Sequence, residues 1–407
     1  MNRILNLLLV TTIAVASCGK SSLDNVPRKD IELTKAQSGY VAKGNSLSIQ
    51  LFREIAGDGG QGAVISPLSV QMFMGMVNSG SAGKTSDEIC SLMGFEDADQ
   101  ANDYLKYLVG QLKSADRKTS IDLASIFVLN THFASSGLKG DFRKSLESSY
   151  AALVDESDFS KNPVQVPSMV NEWVSSRTNG MIPSIYDDGP INQALPFASA
   201  NALHFKGEWT SAFDKKDTRP AYFHMSGGSE VAVDMMSGEF AVRYERNSSF
   251  STVHLPFGNG AFEMVVVLPA ETDGLKGLVS DLDYDKWQGM VSAGQELKIM
   301  VQIPRFTLCH ELDLTESLGR LGCSHLFTDA DFSKAADFSS DVRGIGEVRQ
   351  KICLDINESG AEAAAVTYNN GYTSSLPTLF CADHPFLYAI REVSTDTILV
   401  IGQYCGD

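Results

Sequence analysis

The chain is short of positive charge: 33 Lys and Arg stand against 50 Asp and Glu, for a formal net charge of −17 and a pI near 4.8. That balance argues against nucleic acid as a partner, because phosphate recognition calls for a basic footprint. No Gly-x-Ser-x-Gly elbow and no Walker-type phosphate loop occur, and GNG (258–260) and GIG (344–346) are lone glycine pairs that read as turns. The members of a Ser/His/Asp triad would be distant in the chain, and nothing marks a nucleophile, so no enzyme is expected. No fixed-period repeat is present, which excludes solenoids and propellers. Seven cysteines include no Cys-x-x-Cys. Cys309-His310 with Cys323-Ser324-His325 offers metal-binding side chains at neither of the usual zinc spacings, so no metal or cofactor is expected.

What is present begins with a leader, MNRILNLLLVTTIAVASC. Arg3 supplies a short positive region, and residues 4–15 form an apolar core too short for a membrane span. Val15-Ala16-Ser17-Cys18 resembles a lipobox, which implies cleavage after residue 17 and lipid attached at Cys18. Residues 18–44, polar and broken by Pro27, read as a tether. Gly19, rather than Asp, is compatible with sorting to a bacterial outer membrane, with the body in the periplasm or outside. Among the other six cysteines, Cys90, Cys309, Cys323, Cys353, Cys381 and Cys405, buried thiols are expected, and Cys381 with Cys405 is the first disulfide candidate.

The 407 residues allow two domains or one large one, and no second linker divides the body. Helix signals dominate the first half. Ser66-Pro67 places a cap before a first-turn proline and an apolar run at 68–77. Thr85-Ser86-Asp87-Glu88 fits a capping box, with Gly94 as the stop, and MVNEWVSSR (169–177) predicts a helix ended by Asn179-Gly180. The second half reads as strands: VHLPF (253–257), FEMVVVLP (262–269), LKIMVQIPRF (297–306) and ICLDINE (352–358). FLYAIRE (386–392) and TILVIGQY (397–404) read as a hairpin turning at Ser394-Thr395-Asp396. Helices first and strands later indicate α+β with much antiparallel sheet.

Residues 357–380 form a long stretch with little to bury. Read as a strand, residues 361–372 put Ala361, Ala363, Ala365, Thr367, Asn369 and Gly371 on one face. Glu362, Ala364, Val366, Tyr368, Asn370 and Tyr372 take the other. The odd-numbered face is small and uncharged, so the segment could slot into a sheet over a packed core. An alanine-rich helix is the rival reading for 361–365.

NESGAEAAAVT (357–367) resembles the hinge signature of the serpins, and CADHPFLYAI (381–390) is similar to that family's C-terminal signature. VISPLSV (64–70), SAGKTSDEI (81–89), VNEWVSSRTNGMI (170–182) and ANALHFKGEWTSAF (200–213) resemble further family blocks in the expected order. The resemblance covers residues 45–404 and implies one domain, 45–407, of three β-sheets surrounded by eight or nine helices. It also implies an exposed reactive-centre loop near the C-terminus. A target serine protease would cut the loop and form an acyl-enzyme. It would then be trapped irreversibly as the loop inserts as a new central strand, a mechanism that requires the intact fold to be metastable.

The resemblance assigns the hinge to Glu358, Gly360, Ala361, Glu362, Ala363, Ala364 and Ala365, and sheet opening to Ser66, Ser69, Asn201, Gln350 and Trp209. Gln350 stands where many members have histidine, so a hydrogen-bonded link to Asn201 or Ser66 is expected to replace a titrating one. Family loop lengths put the reactive bond at Ser374-Ser375, with Thr373-Ser374 and Tyr372-Thr373 as alternatives. Small residues there suit elastase-like targets; Tyr372 would suit chymotrypsin-like or subtilisin-like ones. With no Lys or Arg between Glu362 and Pro385, trypsin-like targets fit least. The protein is expected to be a monomer. The alternative is a non-inhibitory serpin acting as a carrier.

Overall fold

A computed structural model describes residues 27–57, 61–187, 189–346, 348–361 and 378–406. The leader, Cys18, hinge residues 362–365 and the candidate reactive bonds at 372–375 lie outside the described residues.

Ten helices occur among the described residues: α1 Lys35–Ala56, α2 Pro67–Gly80, α3 Gly83–Met93, α4 Ala98–Ser114, α5 Gly140–Tyr150, α6 Gln165–Arg177, α7 Leu275–Ser280, α8 Tyr284–Ser292, α9 Thr315–Arg320 and the four-residue α10 His325–Thr328. The strands of the first half are β1 Ala63–Ile65, β2 Thr119–Asn130, β3 Leu153–Ser157 and β4 Phe197–Glu208. Then come β5 Arg219–His224, β6 Glu230–Arg246, β7 Phe250–Phe257, β8 Phe262–Pro269, β9 Gln295–Pro304 and β10 Phe306–Asp313. β11 Arg349–Ile356, β12 Gly360–Ala361, β13 Thr378–Cys381, β14 Phe386–Glu392 and β15 Ile398–Tyr404 complete the set.

Hydrogen bonding joins these strands into two sheets, where three were expected. One runs β10-β11-β4-β2-β3, with β12 also on β4; the other runs β1-β15-β14-β8-β7-β6-β9-β13, with β5 also on β6. The reason is the 17-residue β6. Its first part pairs with β5 and its last residues with β7, so one continuous strand fuses what would otherwise be two sheets.

Ser66 caps α2, its hydroxyl accepting from the Ser69 N–H at 3.2 Å, and Pro67 occupies the first helical position. α2 is buried almost all round and lies in the main core, its apolar run broken by buried polar side chains that have partners, Ser69 on Asn201 and Asn78 on Cys90. β4 divides the interior by parity. Phe197, Leu203 and Phe205 join the main core, while Ala198, Ala200 and Ala202 face a second core built with Val166, Val170 and Val174 of α6. The alanines let the helix lie close to the sheet.

Two boundaries are corrected. The tether expected over 18–44 gives way to structure well before Asn45: Ile31 is buried, its N–H donating to Ser394 Oγ at 2.9 Å, and α1 starts at Lys35 behind a Thr34/Gln37 capping box. Val41, Leu47, Leu51 and Phe52 give that helix an apolar stripe that has to be covered. α3 begins at Gly83 rather than behind Thr85, because the side chains expected to cap it have tertiary partners. Thr85 Oγ1 accepts from the Asp331 N–H, and Glu88 accepts from the His325 N–H. Gly94 ends the helix at φ +84° as expected.

Candidate functional site

The six-stranded sheet contains a fork. β11 and β4 run parallel for four rungs, from Gln350 opposite Asn201 to Cys353 opposite His204, and then part. Beyond the fork β4 takes a different partner: Gly360 lies opposite Glu208 and Ala361 opposite Gly207, antiparallel. β12, the start of the segment that the resemblance reads as a hinge, is thus paired to β4 in the mouth of the sheet. Ala361 is 2% exposed and belongs to the main core, the inward parity read for the odd-numbered residues.

The turn before β12 is tied down at successive residues. Asn357 and Gly360 exchange backbone hydrogen bonds of 2.9 and 3.1 Å. Trp209 Nε1 donates to the Asn357 carbonyl at 2.9 Å, and the Trp209 N–H donates to the Ser359 carbonyl at 2.9 Å. Its indole stacks on Phe257 at 4.3 Å, so Trp209 both packs in the core and holds the 357–360 turn. The Glu358 carbonyl accepts from the Phe213 N–H at 2.8 Å. Its buried carboxylate accepts from Thr218 Oγ1 at 2.9 Å and lies 3.6 Å from Arg305. Gly360 has φ +130°, and a Cβ there would meet the Gly207 carbonyl oxygen at 2.1 Å and the Trp209 nitrogen at 2.7 Å. Only glycine fits that backbone and that approach.

Below the fork, a polar clasp spans β11, α2, β4 and β2. Gln350 Oε1 accepts from the Ser66 N–H at 3.0 Å while its Nε2 donates to the Ser66 carbonyl at 2.9 Å. Ser69 Oγ donates to Asn201 Oδ1 at 2.5 Å, and Asn201 Nδ2 donates to Ser125 Oγ at 2.9 Å. Ser66, Ser69, Ser125, Asn201 and Gln350 are all at most 3% exposed. Of the two links expected for Gln350, the one to Ser66 forms, and Asn201 bonds elsewhere. Ser125 was missed; its only trace in the sequence is a hydroxyl within the otherwise apolar ASIFVL. Thr218 and Arg305 were also missed, and no local pattern marks them.

The cysteines depart from expectation. The disulfide joins Cys309 to Cys353, not Cys381 to Cys405. Cys309 and Cys353 face each other across the β10–β11 ladder with Cα atoms 4.2 Å apart, whereas Cys381 lies opposite Gln302 on β9. The metal-like grouping is dispersed with it, since Cys309 is bonded and His325 Nδ1 contacts Glu88 at 2.5 Å. No cluster of three or more potential metal ligands occurs among the described residues. Burial, with Glu88 nearby, pushes the Cys323 thiol up to about 12, and burial with Asp383 pushes Cys381 to about 11. Neither supplies a thiolate nucleophile near neutral pH.

The sequence profile of the family described as Serpin (serine protease inhibitor) matches residues 42–406. This chain belongs to the serpins. It is similar to Iripin-2 of Ixodes ricinus, 31% identical over 386 residues that cover 92% of this chain and 94% of that protein. It is also similar to a serine protease inhibitor of Cyanea capillata, 31% identical over 89% of this chain and 97% of that one. Among solved structures, Arabidopsis AtSerpin1 in its native stressed conformation superposes with a TM-score of 0.79 at 26% identity, covering 93% of this serpin and 99% of that chain. Tengpin, a thermophilic serpin in its native state, gives a TM-score of 0.81 at 23% identity over 94% and 97% of the two chains, a likeness of fold. Family membership supports protease inhibition in general.

Proposed function

We propose that this serpin is an irreversible suicide-substrate inhibitor of a serine protease with a shallow, elastase-like pocket, and that loop insertion at the β11/β4 fork traps the acyl-enzyme. The observation that carries the reading is the pairing of Gly360–Ala361 on β4, in the mouth of the sheet. Carried along β4, that register would set residue 363 beside Phe205, 365 beside Leu203 and 367 beside Asn201, so Ala, Ala and Thr would meet the main core. Glu362 would fall beside Lys206 on the opposite face. No charge would be buried on the core side, where it would cost several kcal/mol and let the protease escape by completing hydrolysis.

Insertion of about ten residues would gain roughly 0.5–1.5 kcal/mol per hydrogen bond. Apolar burial would add to that. The total is on the order of 10 kcal/mol, comparable with the whole stability of a domain.

The test is incubation with elastase. A covalent complex that survives boiling in detergent, and a cleaved serpin that melts later than the intact one, are expected. Clean cutting with no complex and no thermal gain would favour the carrier reading. Mass spectrometry of the released fragment would choose among cuts after Ser374, Thr373 and Tyr372. The same reading places the protein, as a monomer, on a bacterial outer membrane through a lipid at Cys18. Cys18→Ala should then release it from membrane fractions.

A further inference from the structure

We propose that the Cys309–Cys353 disulfide is a positioning element for loop insertion, confining the opening of the sheet to the β11/β4 seam; the inference rests on the inhibitory reading above. Three observations place the bond where opening is decided. Cys353 is the last residue of β11 paired with β4, opposite His204, so the covalent link stands at the crotch of the fork. Its other end is on β10, which pairs with β11 over eight antiparallel rungs, from Phe306 opposite Ile356 to Asp313 opposite Arg349. Above Cys353, β11 has lost β4, so among the described residues 354–356 pair on one edge only, with 306–308 of β10.

The consequence is mechanical. To admit a strand, β11 must move off β4 by about 4.8 Å, one strand spacing, while offering a straight edge in register to the newcomer. If its upper end frayed or slipped against β10, that edge would lose alignment and insertion would slow. Insertion competes with hydrolysis of the acyl-enzyme, so slower insertion sends more molecules down the substrate path. The disulfide prevents this by making β10 and β11 one leaf, on the strand that has to stay intact. Both the closed and the inserted sheet keep β10 beside β11, so the bond acts on the race and not on the energy released.

The bond is open to test from outside, because Cys309 is exposed while Cys353 is buried in the second core. Cys309→Ala removes it and leaves the buried Cys353 side chain in place. Dithiothreitol on the wild-type protein gives a second route should that variant fold poorly. The dithiol delivers two electrons and two protons, the S–S bond opens to two thiols, and the reagent closes to its cyclic disulfide. The stoichiometry of elastase inhibition would be measured beside the melting temperature of intact and loop-cleaved protein.

Loss of the bond is expected to raise the stoichiometry threefold or more, with cleaved, uncomplexed serpin appearing on gels, while cleavage still raises the melting temperature. An unchanged stoichiometry with a lower melting temperature of the intact protein would overturn the proposal and leave the bond a plain staple. A wild-type protein that forms no complex would instead overturn the inhibitory reading itself.

Discussion

Gln350 is the place to test what keeps the sheet shut. Its side-chain amide is bonded at 3.0 and 2.9 Å to both polar groups of the Ser66 backbone, and both residues are buried. Gln350→Met keeps most of the volume and removes both bonds: the buried Ser66 N–H is left unsatisfied at about 1–3 kcal/mol, while the Ser66 carbonyl keeps the Val70 N–H at 3.1 Å and loses one of its two bonds, worth about 1 kcal/mol. The expected loss is therefore roughly 2–4 kcal/mol, a large share of a typical domain's stability. Gln350→Ala should lose about 1–2 kcal/mol more through the cavity it leaves. If the link must break before the seam parts, a loss of about 3 kcal/mol would speed opening roughly a hundredfold. Urea unfolding of the intact protein reads the first quantity, and the loss of inhibitory activity on warming reads the second. A Met variant within about 0.5 kcal/mol of the parent would refute the reasoning, since that is the scatter of ordinary surface changes.

Gly360→Ala should unseat the hinge, because the new Cβ would overlap the Gly207 carbonyl at 2.1 Å; a penalty of about 1–3 kcal/mol and a red shift in tryptophan fluorescence as Trp209 loses Asn357 are the readouts. Acid should weaken the fold through Glu263. Burial alone would raise its pKa, but bonds to His254 at 2.8 Å and to Arg391 at 2.7 Å bring it down from 4.5 to about 2. A carboxylate depressed in the fold contributes above its unfolded value, so up to about 3 kcal/mol should be lost as pH falls from 4.5 toward 2, and Glu263→Gln should flatten that limb of a urea-midpoint profile. His384 has the opposite sign. Burial would lower its pKa, but Asp383 at 2.8 Å and the Pro269 carbonyl at 2.9 Å hold it above 6.5. Its contribution is complete below pH 6.5 and fades as pH rises through the raised value, a slope that His384→Gln should abolish in thermal melts.

What the sequence revealed, it revealed through local rules. Ser66-Pro67 marks the start of α2 because cap and proline act within one turn, and Ile352, Leu354 and Ile356 declare a strand because side chains two apart share a face, here the main core. Gly360 was legible only through the hinge signature; its reason, a backbone at φ +130° pressed against the Gly207 carbonyl, came with the structure. The failures are all tertiary. Thr85 and Glu88 look like helix caps until Asp331 and His325 arrive from more than 200 residues away. Residues 35–44 look like linker because the apolar positions of α1 are sparse in its first turns. The Cys309–Cys353 pair depends on a register between β10 and β11 that no spacing encodes. Asn201 was placed in the right cluster, yet its partners, Ser69 and Ser125, come from two other elements.

The same geometry indicates where the kinetic barrier of the proposed mechanism lies. The hinge is fixed by bonds at Asn357, Glu358 and Ser359 before it pairs at 360 and 361, so the loop-closure cost of starting a strand has already been met. The next two residues would lie beside Lys206 and Phe205 of β4, which have no rung to β11, and nothing has to break for them. The third would reach the His204–Cys353 rung, and from there each further step must part the seam. Four parallel rungs are lost in all, while the incoming strand gains ladders on both its edges, so the balance turns favourable only after the seam has opened. On the proposed mechanism the lock would be the seam with its Ser66–Gln350 and Ser69–Asn201–Ser125 contacts, not the hinge. Weakening the clasp should therefore speed insertion, whereas weakening the hinge anchor should cost a defined start and slow it.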